Sequence, residues 1–363
     1  MRFIKVFVFI ICATWMLMLG CTNCGLEPEI DPTESDTCQW EYLGFKDKYA
    51  HRLVLAEPYL YVCACINGLW RKNIREVNSE WQYLGLADTT LEFSNAGAQD
   101  VLIHPENPDW LLVAYKPGKG KDHCVYRSTD SGQSWVPADS GLEAYYNGEF
   151  VGIRRIERFL FYPDYILGAG HGIFVTYNFG EVWNKVSTPE GVGAHFVSLE
   201  RHRLAQNVVW FGGTGLLDNP VLASSSDGGF TWREYELHGV SWLNSVWSIA
   251  FDPQDANIVY VGMNSIMIKT TDGGDSWVVP LVTPPQGGAY RAILADPNDR
   301  NHLWAVFGST LAQTFSADSS WQDIESPVQD LILNMLYDDA TQSIYIGTVN
   351  GIYHYKPQSI TQL

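Results

Sequence analysis

Short apolar runs broken by turn-forming residues dominate this chain from about residue 40 onward. Runs such as "VWSIAF", "IVYVGM" and "MIKT" are rich in Val, Ile and aromatic side chains, and Asp, Pro, Asn and Gly bound them. Runs of that length and make-up predict strands, and the breakers between them predict tight turns. The order of pieces then repeats. An apolar strand ends at an acidic or Pro-containing corner, a second strand follows, then a short Gly-rich loop, a third strand, and a turn that leads to a Trp. These Trp residues stand at positions 40, 81, 135, 183, 232, 277 and 321, with gaps of 41, 54, 48, 49, 45 and 44 residues. Four strands per unit at a period near 45 predict an all-β, seven-bladed β-propeller of antiparallel blades.

The two ends of the repeat complete each other. The last unit, "LILNMLYDDATQSIYIGTVNGIYHYKP", holds three strands and lacks a closing Trp strand. Near the start, "CQWEYLGF" is an orphan that resembles "SEWQYLGL", the closing strand of the first full unit. The N-terminal strand is therefore expected to complete blade seven, which removes an open sheet edge. The expected divisions are 1–20, 21–38 as an acidic tether, 39–356 as the propeller and 357–363 as a tail.

Three octets share one spacing: "STDSGQSW" with Asp130, Gly132 and Trp135, "SSDGGFTW" with Asp227, Gly229 and Trp232, and "TTDGGDSW" with Asp272, Gly274 and Trp277. They resemble the Asp-box, or BNR, repeat of sialidases, xyloglucanases, sortilin-type receptors and photosystem II assembly-factor-like propellers. That resemblance implies the fold and leaves the activity open, because those families share little chemistry. The residues themselves read as scaffold. Asp in a turn accepts backbone N–H bonds, Gly takes a positive φ, and the Trp ring fills the wedge between blades. A catalytic carboxylate is not needed once per blade.

Composition alters the picture at the N-terminus. Arg2 and Lys5 precede a run over 6–19 in which Thr14 alone is polar, the pattern of a signal peptide and too short for a comfortable membrane span. It meets Gly20 and Cys21 in a sequence resembling the lipobox of bacterial lipoproteins, which implies a lipidated Cys21 and a place in the cell envelope. Without residues 1–20 the chain carries 21 basic against 41 acidic side chains. Such acidity disfavours nucleic acid as a partner. Cys24, Cys38, Cys63, Cys65 and Cys124 remain; Cys24–Cys38 is the first disulfide to test, and Cys63 and Cys65, two apart on a strand, are expected as buried thiols sharing a face. No zinc-like spacing, phosphate loop or nucleophile motif is present, so neither a metal nor a cofactor is expected.

Propeller topology puts the acidic corners and the repeated turns on one face. The opposite, upper face carries the second-to-third loops and the connections between blades. Aligning the inner strands on Glu57, His104, Glu157, Glu200, Asp252, Asp296 and Asp338 gives, five residues back, Arg52, Gln99, Gly152, His195, Trp247, Arg291 and Leu333. Three back, the row is apolar except for Arg154. The varied row predicts the upper mouth of the channel, and Tyr146, Trp242 and Tyr290 from the connecting loops are expected beside it. Arg52, Gln99, Tyr146, Arg154, His195, Trp242, Trp247, Tyr290 and Arg291 are thus the candidate contacts for a protein or glycan ligand. The alternative is a glycoside hydrolase of sialidase or xyloglucanase type. The "FRIP"-like stretch of sialidases is missing. Arg52, Arg154 and Arg291, which would have to supply the sialidase Arg triad around a carboxylate, differ in strand depth in this alignment. No spacing pairs two carboxyls at the roughly 5–10 Å such chemistry requires.

Overall fold

The computed structural model describes residues 39–357, apart from 89–95, 119–121, 144, 147–148, 151, 160–161, 187–194, 216–218, 238–243, 265, 280–287 and 316–319. Seven antiparallel sheets stand around a central channel, each running from an inner strand to an outer one. The inner strands of blades 1 to 7 are Arg52–Ala56, Gly97–Ile103, Ile153–Phe159, His195–Arg201, Val246–Phe251, Tyr290–Ala295 and Ile332–Asp338. In blade 5 the outer strand shortens to a reciprocal pair of 2.9 Å bonds between Lys269 and Val278. A two-stranded ribbon, Tyr145–Tyr146 against Glu149–Phe150, is inserted between blades 2 and 3.

Blade 7 takes its outer strand from the N-terminal segment. Trp40, Glu41 and Tyr42 pair with Tyr355, His354 and Tyr353. The ring is closed as the orphan strand predicts.

The core is divided into wedges between neighbouring blades. In one, Tyr61, Cys63, Leu69 and Leu84 of blade 1 meet Ala98, Val101, Leu111 and Val113 of blade 2. Polar stitches cross the same seams. The indole N–H groups of Trp81, Trp135 and Trp183 donate to the carbonyls of Leu43, Leu84 and Ala138, each just after or within the outer strand of the preceding blade. Trp40 does the same to Glu325 in blade 6. The expected Trp wedge therefore also carries a directed hydrogen bond, one of the groups Trp satisfies when buried.

The repeated turns show one hydrogen-bond set. Ser128 Oγ accepts from the Gly132 N–H at 2.8 Å and donates to Asp130 Oδ1 at 2.7 Å. Asp130 in turn accepts from the N–H and the hydroxyl of Ser134. Ser225, Asp227, Gly229 and Thr231 repeat this, as do Thr270, Asp272, Gly274 and Ser276. Gly274 sits at φ +93°, where a Cβ would meet Tyr235 at 2.3 Å, so the position demands glycine.

Cys63, Cys65 and Cys124 are buried free thiols. Cys63 lies in the wedge, whereas Cys65, at φ +50°, leaves the strand geometry and lines the channel. The two do not share a face as alternation predicts. Cys21, Cys24 and Cys38 lie outside the described residues.

Candidate functional site

Six of the seven inner strands carry a β-bulge near their upper end. The register slips between Ala98 and Asp100, Ile153 and Arg155, Phe196 and Ser198, Val246 and Ser248, Tyr290 and Ala292, and Ile332 and Asn334. In blade 1 both the His51 N–H and the pairing of Arg52 fall opposite Cys63. A bulge sets two consecutive residues against one partner and re-aims side chains. Here it turns Gln99, Arg154, Val197, Trp247, Arg291 and Leu333 toward one cavity of ≈ 1180 Å³ along the channel.

The residues just after the bulges stitch blade to blade. Asp100 accepts from the Ile156 N–H at 3.2 Å, and Arg155 Nε donates to the Val197 carbonyl at 3.0 Å. Ser248 donates to the Tyr290 carbonyl at 2.8 Å. Asn334 donates to the carbonyls of Ala50 and His51 and accepts from the Leu53 N–H. This ring is structural and predefines the height of the bulge residues above it.

The corners explain where the sequence alignment slipped. Blades 3 and 4 extend their inner strands to Phe159 and Arg201, two and one residues past the corners assigned to them. The structural equivalent of His104 in blade 4 is His202, since each donates its N–H to the far end of the corner. The true bulge row therefore holds Arg154 and Val197 in place of Gly152 and His195, and His51 in place of Arg52.

Of the nine predicted contacts, Arg52, Gln99, Arg154, Trp247 and Arg291 line the cavity. Tyr290 is a correction: its ring is 2% exposed and packs with Ala250, Tyr260 and Phe307 between blades 5 and 6. It precedes its bulge, the position of Ala98, Ile153, Val246 and Ile332, all of which point into the wedges. The Tyr146 backbone pairs with Glu149, and that of His195 with Thr214. Trp242 lies outside the described residues.

His51, Arg155, Glu157 and Glu200 were not nominated as contacts, yet they set the electrostatics of the lumen. Arg155 is tied down by bonds to Val197, Gln99 and Arg154 carbonyls. Arg291 lies over the Trp247 ring at 4.8 Å, and the Trp247 N–H donates to Asn264 at 2.6 Å. Burial, then the charges of Arg155, Arg52, Arg154 and Arg291, drive the His51 pKa down to about 3, so that imidazole is neutral. Burial also lowers the pKa of Arg154 and of Arg291. Lower in the channel, burial raises the carboxyl of Glu157, against the bond it receives from Arg201 at 3.1 Å. Burial pushes Glu200 up to about 7, opposed by Arg52 and reinforced by Glu157 and Asp100. The chain as a whole is strongly acidic, at a formal −18, yet Arg52, Arg154, Arg155 and Arg291 line its channel, the last lying over Trp247.

No protein-family model matches this chain, and no curated protein matches it either. Solved structures do. YCF48 from Cyanidioschyzon merolae is 14% identical, with 89% of this chain and 100% of that one covered at a TM-score of 0.65. A YCF48 structure bound to D1 peptide is 13% identical over 89% and 98% of the two chains, TM-score 0.61. An ancestral GH74 enzyme is 16% identical over 89% of this chain and 46% of its own, TM-score 0.64. The likeness is one of fold. The chain spans about half the length of that GH74 enzyme. No helix among the described residues is long and apolar enough to cross a membrane.

Proposed function

We propose that this propeller is a binding protein that receives an anionic segment of a partner protein at the upper mouth of its channel. The observation that carries this reading is the reversal of charge: Arg154 and Arg291, the latter over the Trp247 ring, line a cavity within a chain of net charge −18. Keeping guanidinium groups partly desolvated, as burial does to Arg154 and Arg291, costs free energy, and an incoming carboxylate offsets that cost through charge-assisted, often bidentate bonds. Trp247, braced by Asn264, adds a flat surface for peptide or side-chain packing. A YCF48 propeller is recorded with a bound peptide, which is in keeping with this reading. The signal-like start further suggests an envelope protein held by lipid at Cys21; Cys21→Ser is then expected to leave the membrane fraction.

Hydrolysis of a glycan has weaker support. A glycosidase needs two opposed carboxyls free to act. In the channel Asp100 is bonded to the Val101 and Ile156 amides and Glu157 to Arg201.

The test is titration of the purified propeller with penta-glutamate, followed by Trp fluorescence and calorimetry. Binding is expected to weaken with salt, to be absent for penta-lysine, and to fall about tenfold or more in Arg154→Gln/Arg291→Gln, the scale of hydrogen bonds to charged groups. Undiminished binding by that double variant sinks the proposal.

A further inference from the structure

Arg52 leaves its donors little used. Its only close polar contacts among the described residues are ion contacts, Nε to Asp100 at 3.5 Å and Nη2 to Glu200 at 3.7 Å. Both exceed hydrogen-bond length for N–H···O, and its buried Nε has no hydrogen-bond partner. A guanidinium carries five N–H donors in a rigid fork. Arg155, two blades further round, spends its donors on three carbonyls, so the difference is not a general property of this lumen.

The group opposite Arg52 is Glu200, in blade 4. Facing Glu200 are Arg52 from blade 1, Asp100 from blade 2, and Arg155 and Glu157 from blade 3. At the corresponding position blades 5 to 7 place Ala250, Leu294 and Leu336, which line the same cavity. An apolar arc thus shares the lumen with the two glutamates and leaves them only partly exposed to water. Asp100 is fixed by two backbone amides, and Glu157 is held by Arg201. Glu200 is left as the carboxyl that can give up its share of Arg52.

We propose that Arg52 forms a second, deeper anion subsite in the channel, opened to a ligand carboxylate when Glu200 takes up one proton. This rests on the anionic-ligand reading of the channel mouth and extends it downward. The exchange balances: the ligand carboxylate replaces the Glu200 carboxylate beside Arg52, and the proton that arrives from solvent resides on Glu200. Burial already holds Glu200 at about 7, so the displaced state is accessible near neutrality. A bound anion raises that affinity for the proton further, because like charges disfavour a second carboxylate nearby. Linkage then requires the ligand to bind more tightly as pH falls.

The experiment is calorimetry of the wild-type propeller with penta-glutamate from pH 6 to pH 8.5, in buffers of differing ionisation enthalpy. The glutamates of the probe stay ionised throughout that range. Above pH 7 the affinity is expected to fall by up to about tenfold per pH unit, with uptake approaching one proton per peptide. Glu200→Gln is expected to abolish the slope and to keep at pH 8.5 the affinity that wild type shows at pH 6. Arg52→Gln is expected to abolish it too, with affinity at pH 6 reduced to the wild-type value at pH 8.5. Should Arg52→Gln fail to fold, the wild-type slope and the glutamine variant at position 200 decide the matter. A flat wild-type profile, or an unchanged slope in Glu200→Gln, overturns the deeper subsite while leaving the mouth intact. Absence of penta-glutamate binding at every pH overturns the reading of the mouth itself, and this subsite with it.

Discussion

Glu200 shows how one side chain records its surroundings. The sequence alignment treats it as a corner residue, interchangeable with Asp252 or Asp338. In the structure it lies one residue short of the end of its strand and projects into the lumen beside Arg52. A carboxyl whose folded value is raised from 4.5 to about 7 makes the folded state bind a proton that the unfolded chain has released. The stability it contributes is therefore greatest below about 4.5, falls as pH climbs toward 7, and levels off above that. Glu200→Gln should accordingly gain on wild type as pH rises. A gain of about 1–2 kcal/mol at pH 8 relative to pH 5 is expected, less than the full shift implies because the carboxyl still touches solvent. Denaturant melts of both proteins at the two pH values measure this; parallel pH profiles would contradict it.

At the scale of the repeated element, the turns illustrate what a sequence pattern can and cannot convey. The spacing of Asp130, Gly132 and Trp135 was legible because each residue answers a local demand: an acceptor, a positive φ and a large ring. Ser128 is the less visible partner. Its hydroxyl is buried and receives both the Asp130 and the Gly132 N–H groups. Ser128→Ala leaves a buried amide without an acceptor and is expected to cost about 1–3 kcal/mol, whereas Ser128→Thr, which keeps the hydroxyl used in blade 5, should cost less. Equal stability of the alanine variant and wild type would refute the anchoring role. The bulges, by contrast, were not legible. Nothing in "GIRRIERF" or "HFVSLER" signals that two neighbouring residues share one partner, and a corner-based count cannot detect an inner strand that runs further in blades 3 and 4. Hence Gln99, Trp247 and Arg291 fall on the predicted row. The count misplaced His51, Arg154 and Val197 by one or two positions. Aligning on the apolar residue that precedes each bulge, such as Ile153, Val246 or Ile332, would have recovered the row.

For the whole molecule, the decisive joint is the outer strand of blade 7. Its three residues bind on both sides of the seam. Trp40 packs tilted against Tyr355 at 4.6 Å between centroids and donates to the Glu325 carbonyl of blade 6. One residue further on, the Leu43 carbonyl accepts from Trp81 of blade 1, while Leu43 and Gly44 exchange backbone bonds with Ile352. Closing a ring by pairing segments more than 300 residues apart restrains the whole chain, and the loop-closure entropy is already spent once all seven wedges have packed. Deleting residues up to Lys46 therefore removes more than three strand pairings. It exposes Tyr353 and Tyr355, opens a free sheet edge, and removes the Trp40 bond to blade 6 and the Leu43 bond to blade 1 together. The expected result is a fall in Tm of about 10 °C or more and aggregation on heating. Trp40→Phe isolates a smaller part of that effect, because it keeps an aromatic ring on Tyr355 while losing the N–H bond to Glu325 and the buried bulk of the five-membered ring. It should cost about 1–3 kcal/mol. Hydrogen exchange across 351–356 gives the local readout: protection should collapse in the deletion and weaken only slightly in the phenylalanine variant. If the shortened protein keeps both its melting temperature and its protection there, the seam does not hold the ring.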